Sequence, residues 1–369
     1  MGEYIHQNKN WPEFIWDNNL ILLLLGEARN LQGKLMGKME SLGFDLRNEA
    51  NLDTLTLDVL KSNEIEGEIL DNGQVRSSIA KKLGMDIPNS VPSDRNVEGT
   101  VEMMMDAIQY CNNPLTTERL FNWHASLFPT GRNGTQKIIV ADWRDGSKGP
   151  MQVVSGPIGR EKTHFLAPDS SLIEEEIETF LLWFNTKNNI DLVLKAAIAH
   201  LWFVTIHPFE DGNGRITRAI TDLLLARSDK STQRFYSMSA QIRIERKQYY
   251  AVLEKTQKGD LDITDWILWF LQCLIESLKH TDKALKKVLI KASFWNLHSK
   301  TIINIRQKKL LNKLLDEFDG KLTSSKWAKI ANCSTDTALR DIQDLIKKDI
   351  LQKESSGGRS TSYVLKKVQ

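Results

Sequence analysis

The stretch HPFEDGNGRITR, His207 to Arg218, follows directly on DLVLKAAIAHLWFVTI, Asp191 to Ile206. The leading run is apolar nearly all round, so it reads as a helix buried by its neighbours rather than one lying on a surface. Pro208, Gly212 and Gly214 interrupt it, and ITRAITDLLLARS, from Ile216, resumes a helix. The chain therefore builds a buried helix, a tight loop and the start of a second helix. At that junction it places one histidine, two carboxylates and two arginines.

Such a loop suits an anion. Gly212 and Gly214 let the backbone come close, and the N–H groups entering the second helix have no intrahelical acceptors. The helix dipole adds about half a positive charge at the same point. Arg215 and Arg218, three apart, share one face of the first turn, where cations oppose that dipole unless an anion is present. Asp211 is an oxygen ligand beside this phosphate-ready environment, the usual setting for Mg²⁺. His207, at the end of the buried helix, is the one neutral base in the segment whose working range lies near neutrality. No strand precedes the loop and no Gly-Lys-Ser/Thr closes it, so it is not a P-loop.

The segment resembles the signature of the Fic family, HPFx(D/E)GNGRxxR, and matches it at every fixed position. That resemblance implies a protein adenylyltransferase, an AMPylator that moves AMP from ATP onto a protein hydroxyl of Ser, Thr or Tyr. It implies that His207 is the base, Phe209 anchors the loop in the core, and Asp211 holds Mg²⁺. Gly212, Asn213 and Gly214 would bind phosphate oxygens, with Arg215 on the inner phosphates and Arg218 on the γ-phosphate. SNEIEGEIL, from Ser62, resembles the family's inhibitory pattern (S/T)xxxE(G/N) at Ser62, Glu66 and Gly67. A carboxylate docked on Arg218 would occupy the guanidinium in place of the γ-phosphate, so autoinhibition by Glu66 is expected.

Two further stretches resemble the family. MQVVSGPIGREKTHFLAP, residues 151–168, has β-branched residues bounded by Gly and Pro and reads as a hairpin turning at GPIG. It is similar to the family's target-docking flap, on which a segment of the target protein would add as a strand. RKQYYAVLEKTQKGDLDITDW resembles the segment beside adenine and nominates Tyr249 and Tyr250 for ATP contacts.

Outward from this core, 369 residues imply two or three domains. Charged residues make up 26% and Pro numbers 9, which describes an ordinary globular chain with helix formers in the majority. The expected fold is mostly α: a helical Fic core with a small β-hairpin flap, over 96–285. An N-terminal helical domain carrying the inhibitory helix, 1–95, would precede it, with helices read from Trp11 onward. DIPNSVPSDRNVE, from Asp86, marks the junction. At 286–369 three short helical segments and two strands around SSGGRS resemble a winged helix-turn-helix domain.

A net charge of +2 gives no global pull toward nucleic acid or membrane. From Arg306 to Gln369, however, 14 Lys or Arg face 8 Asp or Glu. The third helix there, TDTALRDIQDLIKK, offers Arg340, Gln343 and Lys347 outward, with Asp336, Asp341 and Asp344 counting against DNA, and a wing near Arg359 would touch backbone. DNA or protein contact through this domain stays open at this point, as does a homodimer. Three cysteines, Cys111, Cys273 and Cys333, lack metal-ligand spacing and suit free thiols in a reducing cytoplasm. MGEYIHQNKNW has neither a basic nor an apolar leader region, and no run approaches the length of a membrane span. The expectation is a cytoplasmic protein with no membrane partner.

Three other readings compete. The same site would serve a de-AMPylase, with Glu66 positioning water. A metal-dependent phosphohydrolase would use His200 and His207, which seven-residue spacing puts on one helix face, with Asp211. A transcription regulator would bind DNA through its C-terminal domain and only sense nucleotide at the loop.

Overall fold

Most helices of the chain begin at a Ser, Thr or Asp whose side chain accepts an N–H from the first turn, which is why the polar punctuation of the sequence locates them well. In the computed structural model the described residues are 4–87, 89–156, 160, 162–315, 318, 320–354 and 361–366. Two compact units emerge, residues 1–281 and 282–369. No helix among the described residues is long and apolar enough to cross a membrane.

The first unit opens with α1 (Asn18–Glu40), α2 (Phe44–Ile65) and α3 (Asn72–Lys82). The sequence reading starts the first helix near Trp11, but the chain stays irregular to Asp17, whose carboxylate caps α1 by accepting from the Asn19 N–H. Ile15 is held instead by a parallel bridge, its N–H donating to Leu261 and its carbonyl accepting from Ile263, both at 2.9 Å. The described residues of the junction expected from Asp86 are non-helical until Asp94 caps α4 (Arg95–Gln109).

After α4 come α5 (Thr117–Leu127) and a minimal strand pair, β1 (Arg132–Asn133) with β2 (Gln136–Lys137). The hairpin follows, β3 (Gln152–Ser155) antiparallel to β4 (Lys162–Leu166), in register Val153↔Phe165 and with an irregularity between Val153 and Val154. Most of its expected turn, Pro157 to Gly159, lies outside the described residues. β3 and β4 form a two-stranded sheet, so each strand keeps one edge unpaired among the described residues.

Helices α6 (Ile173–Asn185), α7 (Leu192–Ile206) and α8 (Asn213–Asp229) form the heart of the unit. Every residue of α7 from Val193 to Ile206 is buried, as its uniformly apolar sequence requires. α9 (Met238–Ile244), α10 (Arg246–Gln257) and the start of α11 (Thr264–Leu297) close over it, and the Trp266 indole donates to the Ala197 carbonyl at 2.8 Å.

The second unit contains α12 (Ile305–Leu315), α13 (Ser324–Ala331), α14 (Thr335–Lys347) and the antiparallel pair β5 (Leu351–Lys353) with β6 (Tyr363–Leu365). This is the expected order of three helices and a hairpin, packed on Leu310, Trp327, Ile342, Leu345 and Tyr363. Arg359 lies outside the described residues. One expectation is corrected: Asp341 does not join the outer face of α14, and Asp344, 44% exposed, is tied to its neighbours. Asp341 is buried and accepts from Asn304 and Arg306, and Asp344 accepts from Gln307 at 2.7 Å and pairs with Lys348. α12 packs on that side and supplies the donors, which an isolated helical wheel does not reveal.

Candidate functional site

α7 ends because His207 takes the left-handed conformation, φ 52 and ψ 56, and Pro208 follows without an N–H to continue the ladder. The His207 N–H still donates to Phe203 at 3.1 Å. Its ring Nδ1 lies 3.1 Å from the Val204 carbonyl, which can only accept, so the proton sits on Nδ1 and Nε2 carries the free lone pair. Desolvation holds the imidazole below the ordinary histidine value. The Val204 bond raises it, Arg144 lowers it, and Glu66 and Asp211 raise it. The result is a neutral base at physiological pH.

The loop is held from within. Phe209 is fully buried and stacks on His124 at 4.2 Å between centroids, with Trp143 at 5.0 Å on the other side. Asn213 Oδ1 accepts from the Phe209 N–H at 3.0 Å and its Nδ2 donates to the Phe209 carbonyl at 2.8 Å. Its amide therefore staples the loop, which leaves only its backbone for an anion. Gly212 stands before α8 with φ 81. The N–H groups of Asn213, Gly214 and Arg215 meet no acceptor among the described residues, as the start of a helix dictates.

Both arginines of the loop are occupied. The Arg218 guanidinium is buried and donates from Nε to the Ser62 hydroxyl, from Nη2 to the Ser62 carbonyl and from Nη1 to Glu66 Oε1, each at 2.8 Å. Burial opposes its charge, and Glu66 together with the Tyr249 and Tyr250 hydroxyls more than offsets that, so the guanidinium stays charged. Gly67 ends α2 with φ 88, which turns the chain so that Glu68 follows Glu66 toward α8. Glu68 Oε2 accepts from Arg215 Nη1 at 2.8 Å. Gly214 makes room for this approach: a β-carbon there would come 2.1 Å from Glu66 Oε1, and the carboxylate would have to shift.

His207, Gly214, Glu66, Tyr249 and Tyr250 line one cavity of about 750 Å³, walled by residues 151–154 of the hairpin and by α10. That volume lies within the range of about 300 to 1,000 Å³ usual for small-molecule sites. Tyr249 is buried, and its hydroxyl lies 3.0 Å from His200 Nε2, so only part of its ring faces the cavity. Tyr250 is half-buried beneath the Arg246 guanidinium at 5.2 Å. The hairpin is pinned to α10 by His164 Nδ1 on Glu254 Oε2 at 2.6 Å.

His200 does not converge with His207. Its ring nitrogens contact Thr221 and Tyr249, and burial drives it down to about 3. No group of three or more His, Cys, Asp or Glu side chains among the described residues could hold a metal ion. The paired-histidine phosphohydrolase reading therefore lacks its site. Mg²⁺ asks for less, one or two carboxylates with phosphate oxygens and water completing the shell. Asp211 fits that demand: Oδ1 accepts from the Gly212 N–H at 2.5 Å and Oδ2 from Asn133, which orients the carboxylate beside the anion-ready helix start.

Sequence reasoning missed Glu68, Arg144 and Asn133. Glu68 alone carried a signal, as a second acid two positions beyond Glu66.

The mostly helical fold thus brings a histidine, a carboxylate, N–H groups without acceptors among the described residues and two paired arginines to one helix start. The chain carries a region similar to the Fic domain: residues 114–225 match the profile described as Fic/DOC family, and residues 4–85 match a domain of unknown function, DUF4172. Protein adenylyltransferase fic-1 of Caenorhabditis elegans is 26% identical over 258 residues, covering 66% of this chain and 47% of that protein. Protein adenylyltransferase Fic of Drosophila mojavensis is 36% identical over 87 residues, 23% of this chain and 16% of that protein. The chain thus spans less than half the length of these curated relatives. The crystal structure of a Fic family protein from Desulfovibrio desulfuricans G20 shares the fold, with a TM-score of 0.53, 19% identity, and coverage of 95% of this chain and 97% of that one.

Proposed function

We propose that the chain is a protein adenylyltransferase that moves AMP from Mg-ATP to a Ser, Thr or Tyr hydroxyl of a target protein, and that Glu66 holds it inactive at rest. The observation that supports this reading is that His207 and Gly214 of the α8 start line one cavity of about 750 Å³ together with Glu66, the carboxylate that holds Arg218.

In the reaction the target oxygen attacks the α-phosphorus, and the bond from that phosphorus to the bridging oxygen of the β-phosphate breaks. The hydroxyl proton passes to His207 Nε2, and pyrophosphate leaves. The backbone of Gly212, Asn213 and Gly214 would bind phosphate oxygens, Arg215 the inner phosphates and Arg218 the γ-phosphate. Mg²⁺, held by Asp211, would neutralise phosphate charge. Tyr249 and Tyr250 would flank adenine through their ring edges. The target would add a strand to the open edge of β3.

At rest Arg218 is fully engaged by Ser62 and Glu66. A charge-assisted bond of this kind contributes about 1.5 to 3 kcal/mol, enough to compete with a single γ-phosphate contact. Because Glu66 lines the same cavity as His207, it is also placed to orient water for AMP removal. The test is label transfer from ATP to lysate proteins with purified Glu66→Gly, followed by digestion. AMP on a hydroxyl supports the reading, and bare phosphate refutes it.

A second reading concerns the C-terminal unit as a DNA contact. With Asp341 buried against Arg306, the exposed face of α14 carries Arg340, Gln343 and Lys347 beside Asp336, and Asp344 is paired with Lys348. Binding of the full chain to a random duplex that weakens steeply with salt would support it, and no binding at low salt would exclude it.

A further inference from the structure

Arg144 lies outside every stretch that the family signature covers, yet it touches both sides of the His207–Pro208 turn. Its Nε donates to the His207 carbonyl at 2.9 Å, and its backbone N–H donates to the Pro208 carbonyl at 3.0 Å. Nη2 reaches across to the Pro168 carbonyl at 2.5 Å, just past the end of β4. One side chain thus ties the end of α7 to the base of the hairpin.

Two physical oddities meet there. His207 holds a left-handed backbone, a conformation that a residue with a β-carbon keeps only when its surroundings over-determine it. Its carbonyl is among those left without partners at a helix C-terminus, and the guanidinium satisfies it. Arg144 itself is 5% exposed, forms no ion pair among the described residues, and its Nη1 donates to none of them. Burial disfavours its charge more than the nearby Asp169 carboxylate favours it, so keeping this cation is costly. Its hydrogen bonds converge on the candidate base, which gives the charge a purpose.

We propose that Arg144 is the positioning residue of this site, locking the His207 turn against the base of the hairpin so that the imidazole keeps a single aim into the cavity. The inference rests on the adenylyl-transfer reading. The charged groups acting on the imidazole are Arg144, which disfavours its protonation, and Glu66 and Asp211, which favour it. Losing the Arg144 charge therefore makes His207 easier to protonate.

The experiment uses the full chain carrying Glu66→Gly, alone and with Arg144→Met or Arg144→Lys. It measures the rate of label transfer from α-labelled ATP to lysate proteins across pH, and ATP affinity by calorimetry. Arg144→Met is expected to slow transfer about 10²-fold through misalignment. ATP affinity should stay within about twofold, and the acid limb of the rate profile should move to higher pH. Arg144→Lys keeps the charge, so it should leave the limb in place and recover part of the rate. A rate for Arg144→Met equal to its parent, or a loss matched by weaker ATP binding with an unmoved limb, overturns the proposal. If Arg144→Met does not fold, Arg144→Lys decides, since a full parental rate would show that the hydrogen-bond geometry is dispensable. A Glu66→Gly parent that transfers nothing would instead remove the adenylyl-transfer reading beneath it.

Discussion

Glu68 Oε2 sits 2.8 Å from Arg215 Nη1, two residues beyond the carboxylate that holds Arg218. A single helix end, Ser62 to Glu68, therefore occupies both arginines of the loop. Arg218 donates to three acceptors in a buried setting, whereas Glu68 is 37% exposed and shares its pair with solvent.

Glu68→Gln is expected to tighten ATP binding modestly. A partly exposed ion pair contributes about 0.2 to 1 kcal/mol, so the gain over Glu66→Gly alone should be up to about fivefold. Calorimetric titration of Glu66→Gly and Glu66→Gly/Glu68→Gln with ATP measures it. Equal affinities would mean that Glu68 does not compete with nucleotide.

Ser62→Ala removes the acceptor of Arg218 Nε in a site where both side chains are buried. An orphaned buried donor costs about 1 to 3 kcal/mol, and the cost falls on the resting arrangement, because a phosphate could satisfy Arg218 in its place. Transfer activity should rise, though less than with Glu66→Gly, while the melting temperature without nucleotide falls. An unchanged melting temperature would contradict the buried bond.

Stability should fall in mild acid. Burial drives His200 down to about 3 and His124 to about 4, while histidines of the unfolded chain protonate near 6.5. Between those values the unfolded state binds more protons, so stability rises with pH. The full contribution is present above about 6.5 and is lost as pH drops toward the folded values. Each histidine should cost about 2 kcal/mol at pH 5. Urea unfolding followed by Trp fluorescence at pH 5 and 7.5 measures the loss, and His200→Gln should reduce its slope.

The helix-loop-helix around His207 was legible in the sequence because its signals are local: Pro208 stops one helix, Gly212 starts the next, and the charged residues lie within a few positions. The hairpin and the order of the C-terminal elements were legible for the same reason. Arg144 and Glu68 were not, since each acts on a residue more than sixty positions away and only packing brings them together. Asn213 and Tyr249 illustrate the opposite limit. Both were nominated for the nucleotide, yet the Asn213 amide serves the Phe209 backbone and the Tyr249 hydroxyl contacts His200. Local spacing cannot show which side-chain atoms are already spoken for. The run KIIV, from Lys137, has β-branched residues yet forms no strand beyond Lys137, because the Ile139 N–H donates to the buried Glu210 carboxylate rather than to a neighbouring strand.

The central claim is AMP transfer restrained by Glu66. The direct measurement follows label from ATP, carried at the α or the γ phosphate, into protein with Mg²⁺ present, comparing the unaltered chain, Glu66→Gly and Glu66→Gly/His207→Ala. The expected result is protein labelled only from the α position, weakly by the unaltered chain and strongly by Glu66→Gly. Loss of the base should then cut the rate by about 10² to 10⁴. Label arriving from the γ position, or no increase on removing Glu66, would contradict the account.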